Sequence, residues 1–293
     1  MDGQQDKMAS QKDGQLQIQN NYSCRFRIIM VLVDKINRSG DLVNELCRDG
    51  NVVNKAYRSG ELIYQRIETV EHNYDEYFTL EALGEGILGY DFFEQEKTIY
   101  YSKNGSSWAV LPRNGVTVTT GDKIHLKGYN QVYGSSILSS TDYNVYGNIM
   151  SLVGGDNFQD VKHVANSAFS NLFSHYTQPG YGHKVVDASG LILPATTLAN
   201  WCYASMFYLN RKLIAAPELP ATTLTKSCYK NMFGGCTNLN YIKCLATDIS
   251  ASDCTYNWLD GVSSTGTFVK NASMSGWSTG VNGIPEGWTI INA

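Results

Sequence analysis

The chain is short of charge, of proline and of long apolar runs, and each shortage closes off a class of function. Only 17% of its 293 residues are charged, and the net charge of −4 divides as +2 over residues 1–67, −6 over 68–150 and zero over 151–293. No segment is strongly basic, so a surface that neutralises nucleic-acid phosphates is not expected. The apolar run Ile28-Ile-Met-Val-Leu-Val33 has six residues. It is too short for a signal core or a membrane span, so neither an export signal nor membrane insertion is expected. The seven cysteines, Cys24, Cys47, Cys202, Cys228, Cys236, Cys244 and Cys254, include no C-x-x-C pair, and none of the five histidines lies at ligand spacing from a cysteine. A metal site is therefore not expected.

The residues of catalysis are also missing. Glu68, Glu71, Asp75 and Glu76 form an acidic stretch that reads as a solvated connector. Asp156 and Asp160, four apart, would share a helix face, but no partner acid accompanies them. Gly84-Glu-Gly86-Ile-Leu-Gly89 has the letters of a dinucleotide loop without a following helix. Neither an enzyme nor a bound cofactor is expected.

What is abundant is glycine, 27 residues against six prolines, with 12% aromatics. This balance suits many short strands and turns. The strongest signal is a repeat. Leu193-Pro-Ala-Thr-Thr-Leu198 returns 26 residues later as Leu219-Pro-Ala-Thr-Thr-Leu224, and Cys202, Met206-Phe207 and Leu213 return as Cys228, Met232-Phe233 and Leu239 at the same offset. A fixed period of this size marks units that expose an apolar face until a neighbour stacks on it, as in a solenoid. Leu224, Cys228 and Met232 recur every four residues, which predicts one face of a helix capped by Thr222 or Thr223 and ended at Gly234-Gly235. The run Leu213–Leu219 reads as a short strand, so each unit is expected to be strand, turn, helix and loop.

Two degenerate copies flank the pair. Ser250, Cys254 and Trp258 continue the face downstream, while Val164, Ala168 and Leu172-Phe173 match upstream at an offset of 34. The eight extra residues there fit an insertion at Thr177–Lys184. The tail after Thr267, with Trp277 and Trp288, reads as a cap. Leu198, Cys202, Leu224, Cys228, Met232 and Cys254 are the expected core of the stack. The cysteines at 26-residue spacing read as small, reduced, apolar residues; a disulfide between stacked units is the alternative.

The series Leu-Pro-Ala-Thr-Thr-Leu, Cys-Tyr, Met-Phe and Gly235-Cys-Thr-Asn-Leu239, with Gly283-Ile-Pro-Glu-Gly-Trp288 near the end, resembles the BspA-like leucine-rich repeats of gut bacteria and their phages. The likeness covers residues 148–293. It implies a surface-exposed recognition scaffold without catalytic residues.

Upstream, residues 1–23 are polar and read as a flexible arm. Three decads follow: Arg38-Ser-Gly-Asp-Leu-Val-Asn44, Arg48-Asp-Gly-Asn-Val-Val-Asn54 and Arg58-Ser-Gly-Glu-Leu-Ile-Tyr64. Each holds one turn and one strand, so 24–67 is expected to form a β-meander that needs a partner surface, either the next domain or other copies in a trimer. Residues 76–147, with alternating strands and a turn at Asn104-Gly105, read as an immunoglobulin-like β-sandwich.

The whole is therefore expected to be mainly β: arm, meander, sandwich, and an α/β repeat domain over 148–293. The function this points to is a phage head or tail fibre that attaches to other virion proteins through its N-terminal region and recognises a host-surface glycan or protein through its repeats. The alternative is a bacterial surface adhesin. Tyr176, Tyr181, His183 and Trp201 are the expected contact residues, because aromatics on an insertion that stacking does not require can anchor a ligand, unless they only pack the loop.

Overall fold

The computed structural model describes residues 73–91, 97–133, 136–174 and 184–293, together with the backbone of seven strands between residues 8 and 69. The chain is mainly β and divides into two compact units, residues 1–73 and 74–293.

The first unit contains β1 (Met8–Ala9), β2 (Leu16–Gln19), β3 (Arg27–Leu32), β4 (Cys47–Arg48), β5 (Asn51–Val52), β6 (Lys55–Arg58) and β7 (Glu61–Thr69). Five of them form an antiparallel sheet in the order β1-β2-β6-β7-β3, and β4 and β5 pair separately. The decad glycines Gly40, Gly50 and Gly60, where turns are expected, lie outside the described residues. The strand order is not that of a meander. The six-residue apolar β3 lies beside the nine-residue β7, and β2 beside β6. The polar stretch 1–23, expected to be an arm, contains β1 and β2. Its Leu16-Gln-Ile-Gln19 alternates with period two, which is the pattern of a strand with one apolar face.

The second unit begins with a 3₁₀ turn at Tyr74–Glu76 and continues through β8 (Phe78–Ala82), β9 (Gly86–Tyr90), β10 (Ile99–Lys103), β11 (Ala109–Val110), β12 (Val116–Val118), β13 (Lys123–Gly128), β14 (Ile137–Ser139) and β15 (Tyr143–Asn148). β10, β11, β12 and β13 lie on the alternating segments Thr98-Ile-Tyr-Tyr101, Trp108-Ala-Val-Leu111, Val116-Thr-Val-Thr119 and Lys123-Ile-His-Leu-Lys127 of the expected β domain, and Asn104-Gly105, both at positive φ, join β10 to its antiparallel partner β11. A six-stranded sheet, β11-β10-β13-β8-β15 and then β16 (Leu191–Ile192), and a three-stranded sheet, β12-β9-β14, contribute to one core with Phe78, Leu80, Leu88, Tyr90, Ile124 and Val145.

β15 is where this part joins the repeats. It is antiparallel to β8 yet parallel to β16, so the sheet passes into the repeat region without a break. Gly147, at φ +76°, permits this, since a Cβ there would collide with the Tyr77 carbonyl. After β15 come a four-residue α-helix, α1 (Ser151–Gly154), and a 3₁₀ segment, Gly155–Asp160. Asp156 lies in that segment and takes hydrogen bonds from Lys127 Nζ at 2.8 and 2.9 Å and from the Tyr77 hydroxyl at 2.7 Å. The Lys127 ammonium also lies 4.3 Å from the Trp108 ring centroid. Asp156 is thus a structural anchor, and it does not pair with Asp160 on a helix face.

The repeats stack, but without the expected helices. Among the described residues α1 is the only α-helix. Where a helix was predicted after Leu198 and after Leu224, the chain makes consecutive β-turns with positive φ at every fourth residue: Trp201, Ser205 and Leu209; Ser227, Asn231 and Gly235; Asp253, Asn257 and Gly261. Alternate N–H groups have different destinations. Cys202, Ala204, Met206 and Tyr208 donate three residues back, whereas Trp201, Tyr203, Ser205, Phe207 and Leu209 donate to Lys226, Cys228, Lys230, Met232 and Gly234 of the next coil. An α-helix keeps every bond inside itself; this arrangement gives half of them to the neighbour and so ties coils together while leaving no N–H of the run unpaired. The other edge of each coil is extended and parallel, through bridges at Asp187–Ala215 and Leu219–Cys244 and the sheet β17 (Tyr241–Cys244), β18 (Thr267–Lys270) and β19 (Thr289–Asn292).

Like residues stack on like. Tyr133, Phe169, Tyr203, Tyr229, Trp258 and Trp277 form one column of rings with neighbouring centroids 5.4–6.2 Å apart and planes within 27°. Phe173, Phe207 and Phe233 form a second, at 4.8 and 5.4 Å. Each such pair adds about 0.5–1.5 kcal/mol beyond area burial. Leu198, Cys202, Leu224, Cys228, Met232 and Cys254 are all buried.

Cys202, Cys228, Cys236, Cys244 and Cys254 are free thiols, and burial pushes Cys228 and Cys244 up to about 12. Alkylation of the native chain at pH 8 is expected to proceed at these two sites about a thousandfold more slowly than at an exposed thiol, because so little thiolate is present. In denaturant without reductant all seven cysteines should label, as counted by mass spectrometry. Rapid native labelling of Cys228 would contradict the packing, and an unlabelled pair in denaturant would restore the disulfide alternative.

Candidate functional site

The stacked turns build a surface as regular as the core beneath it. In each four-residue step at least two side chains are buried, and those that are not recur from coil to coil as columns on the surface. Four columns carry chemistry.

Trp201 stands in the first. It is half-buried and has φ +61°. That conformation costs a non-glycine residue about 1 kcal/mol, but Ser205, Leu209, Ser227 and Asn231 share it, so the strain belongs to the turn pattern and is not evidence of function. The Lys230 ammonium lies 5.1 Å from the Trp201 ring centroid and 4.9 Å from that of Tyr256. One cation thus serves two aromatic faces on three successive coils, with about 0.5–1 kcal/mol for each contact at an exposed site. Rings fixed in this way lose little freedom when a ligand covers them. Tyr176, Tyr181 and His183, the other expected contact residues, lie outside the described residues.

Beside Lys230 and Tyr256 in sequence are Asn231 and Asn257, and with Tyr208, Gly234, Gly235 and Asp260 they line a groove of about 180 Å³. The groove exists because the column Tyr208, Gly234, Asp260 has no side chain at its middle coil. A Cβ at Gly234 would come 3.1 Å from Tyr208 Cδ2, and one at Gly235 2.6 Å from Leu209 Cδ2, so the first coil's side chains lean over the bare second coil. The side chains of Tyr208, Asn231, Asn257 and Asp260 make no hydrogen bond among the described residues, although the Asn257 backbone N–H donates to Asn282 Oδ1 at 2.8 Å. No lysine or arginine lines the groove.

None of Lys230, Tyr256, Tyr208, Asn231, Asn257 or Asp260 stands out as a single residue. The signal lay in comparing the copies by column: between the first two copies the core positions keep their type, whereas 208 and 234 read Tyr and Gly and 204 and 230 read Ala and Lys, with Asp260 and Tyr256 at the same places in the third. Positions that vary within an otherwise repeated unit are those that stacking leaves open.

Among the described residues no group of three or more His, Cys, Asp or Glu is placed to hold a metal ion, and no helix is long and apolar enough to cross a membrane. No protein-family model, curated protein or solved structure matches the chain.

Proposed function

We propose that the chain is a virion fibre protein of a phage that infects gut bacteria, attached to other virion proteins through residues 1–73 and recognising the host surface through the turn face of its repeats. In fold terms this reading takes residues 76–147 as an immunoglobulin-like sandwich and 148–293 as a solenoid of the BspA-like leucine-rich-repeat type. The observation that carries it is the division between an invariant stacked core and a turn face with ordered aromatic and polar side chains left uncommitted. A purely mechanical stack has no need of the latter. The repeat motifs that resemble BspA-like proteins support it, as does the join at β15, which carries one sheet from the β domain into the repeats. The five-stranded sheet of the first unit ends in β1 and β3 as edge strands, which suits association of copies, and a trimer is the proposed state.

Labelled full-length protein is expected to bind cells of the host strain, and antibody raised against it to decorate intact virions in electron micrographs. Light scattering should give three times the mass of the chain. The Trp201→Ala/Tyr256→Ala double variant should lose at least tenfold in cell binding with its melting temperature within a few degrees of the parent, since both residues are at the surface. Decoration of uninfected cells in place of virions would assign the chain to a bacterial adhesin, and a monomeric mass would remove the trimer.

A further inference from the structure

We propose that the groove between Tyr208 and Asp260 is a subsite for one residue of a neutral sugar; the inference rests on the recognition reading above and names the class of ligand.

The size sets the first limit. A groove of about 180 Å³ holds roughly six times a water's share of liquid volume, which suits a single small ring and is well below the space a drug-sized ligand fills. Its span agrees: the Tyr208 ring, which leans over Gly234, forms one wall, and Asp260 on the far side belongs to a coil two steps away, which is about 10 Å.

Charge sets the second. The one ionised lining group is the Asp260 carboxylate, and no cation faces it from within the groove. A phosphate, a sulfate or an acidic sugar would be repelled by that carboxylate and would meet no cation in the groove to offset it. Asn231 and Asn257 each offer two donors and one acceptor, and Asp260 offers acceptors only. Hydroxyl groups, which donate and accept at once, can satisfy all three side chains together. These groups are free to do so, since none is spent on the protein among the described residues.

The third limit excludes a peptide strand. Recognition of an extended peptide draws on exposed backbone N–H and C=O groups. Here the N–H groups of Tyr208, Leu209, Gly234 and Gly235 donate to Ser205, Gly234, Asn231 and Asp260, and those of Asn231, Asn257 and Asp260 to Tyr256, the Asn282 side chain and Asn257, so the walls offer no row of backbone donors for a strand to pair with. What remains is a half-buried aromatic ring beside amide and carboxylate side chains. A pyranose matches that mixture, with an apolar C–H face for Tyr208 and a hydroxyl edge for Asn231, Asn257 and Asp260.

The test is saturation-transfer NMR of the full-length protein with glucose, galactose, mannose and N-acetylglucosamine, beside sialic acid and inorganic phosphate. At least one neutral sugar should receive saturation at millimolar concentration, and neither anion should. Asp260→Lys and Tyr208→Ala should each weaken that binding at least tenfold with melting unchanged; Asp260→Asn, smaller in its effect on charge and shape, serves where either variant is unstable, and should weaken binding measurably. Absence of transfer from all four neutral sugars, preference for an anion, or indifference to the substitutions overturns the subsite. Failure here is separable from failure of the recognition reading. Groove variants that bind host cells as the parent does remove the subsite and keep the reading, whereas sugar binding by a protein that does not bind cells removes the reading and keeps the subsite.

Discussion

Cys228→Asp is expected to unfold residues 74–293 at room temperature. Cys228 has no solvent exposure and stands in the column between Cys202 and Cys254, with its thiol directed at the Cys254 carbonyl, 3.9 Å away. A carboxylate at this place has no cation within the column and no water. A thiol is nearly apolar and needs neither. Leaving a charge buried and unpaired costs on the order of 4 kcal/mol or more, a large share of the stability of an ordinary domain. Each coil hydrogen-bonds only to its neighbours, yet the core runs continuously from Phe78 to Trp288, so disruption at the coil of Cys228 should be felt across the unit. Cys228→Ala separates charge from shape, since it removes one buried atom and should cost about 1–2 kcal/mol. Thermal unfolding followed by circular dichroism checks both; an Asp variant that melts with the parent would show that Cys228 is not inside the stack.

Trp258→Ala should cost about 3–5 kcal/mol and loosen the C-terminal cap before the rest. Trp258 is fully buried, and its ring lies parallel to Tyr229 on one side and Trp277 on the other, at 6.2 and 5.4 Å. Its indole N–H donates to the Gly283 carbonyl at 2.8 Å. The cap is also held to the stack by the parallel ladder of β18 with β17, by the Asn257 N–H to Asn282 Oδ1, and by Thr255 Oγ1 to Asn282 O and Trp288 Nε1 to Ser263 O, each of these three at 2.8 Å. Truncation therefore removes a ring from the middle of the column and a donor from a buried carbonyl together. Hydrogen exchange should show β19 losing protection at lower denaturant than β17, with Tyr203 and its coil unaffected. Equal loss of protection in all coils would mean that the cap and stack unfold as one body.

Period was read correctly from the sequence and conformation was not. Leu224, Cys228 and Met232 do share a buried face, as spacing by four requires, but an α-helix repeats every 3.6 residues and drifts about 40° in four. A column that holds its residue type at spacings of four over three turns fits a four-residue repeat better than a helix. Asn231, Asn257, Gly235 and Gly261, each four apart in its own coil, are residues that accept positive φ, and they were the local sign of the turns. The strand at Leu213–Leu219 became two parallel bridges for a similar reason: Pro217 and Pro220 cannot donate to a ladder. At the N-terminal end, low hydropathy hid a period-two alternation at Leu16–Gln19, and four residues of pattern are too few to outweigh the polar composition around them.

The sequence by itself determined the period, the register between coils, the identity of the core columns and the mainly β class, because these follow from which residues recur and at what distance. It could not determine the state of the backbone between recurrences. A helix and a run of β-turns bury the same columns, and the choice falls to the neighbouring coil, which takes every second N–H of the turns and would find none offered by a helix. The groove was decided at the same level. Tyr208, Gly234 and Asp260 are 26 residues apart in the chain and meet only when coils stack, so the space that a missing side chain leaves becomes a site only in the assembled structure.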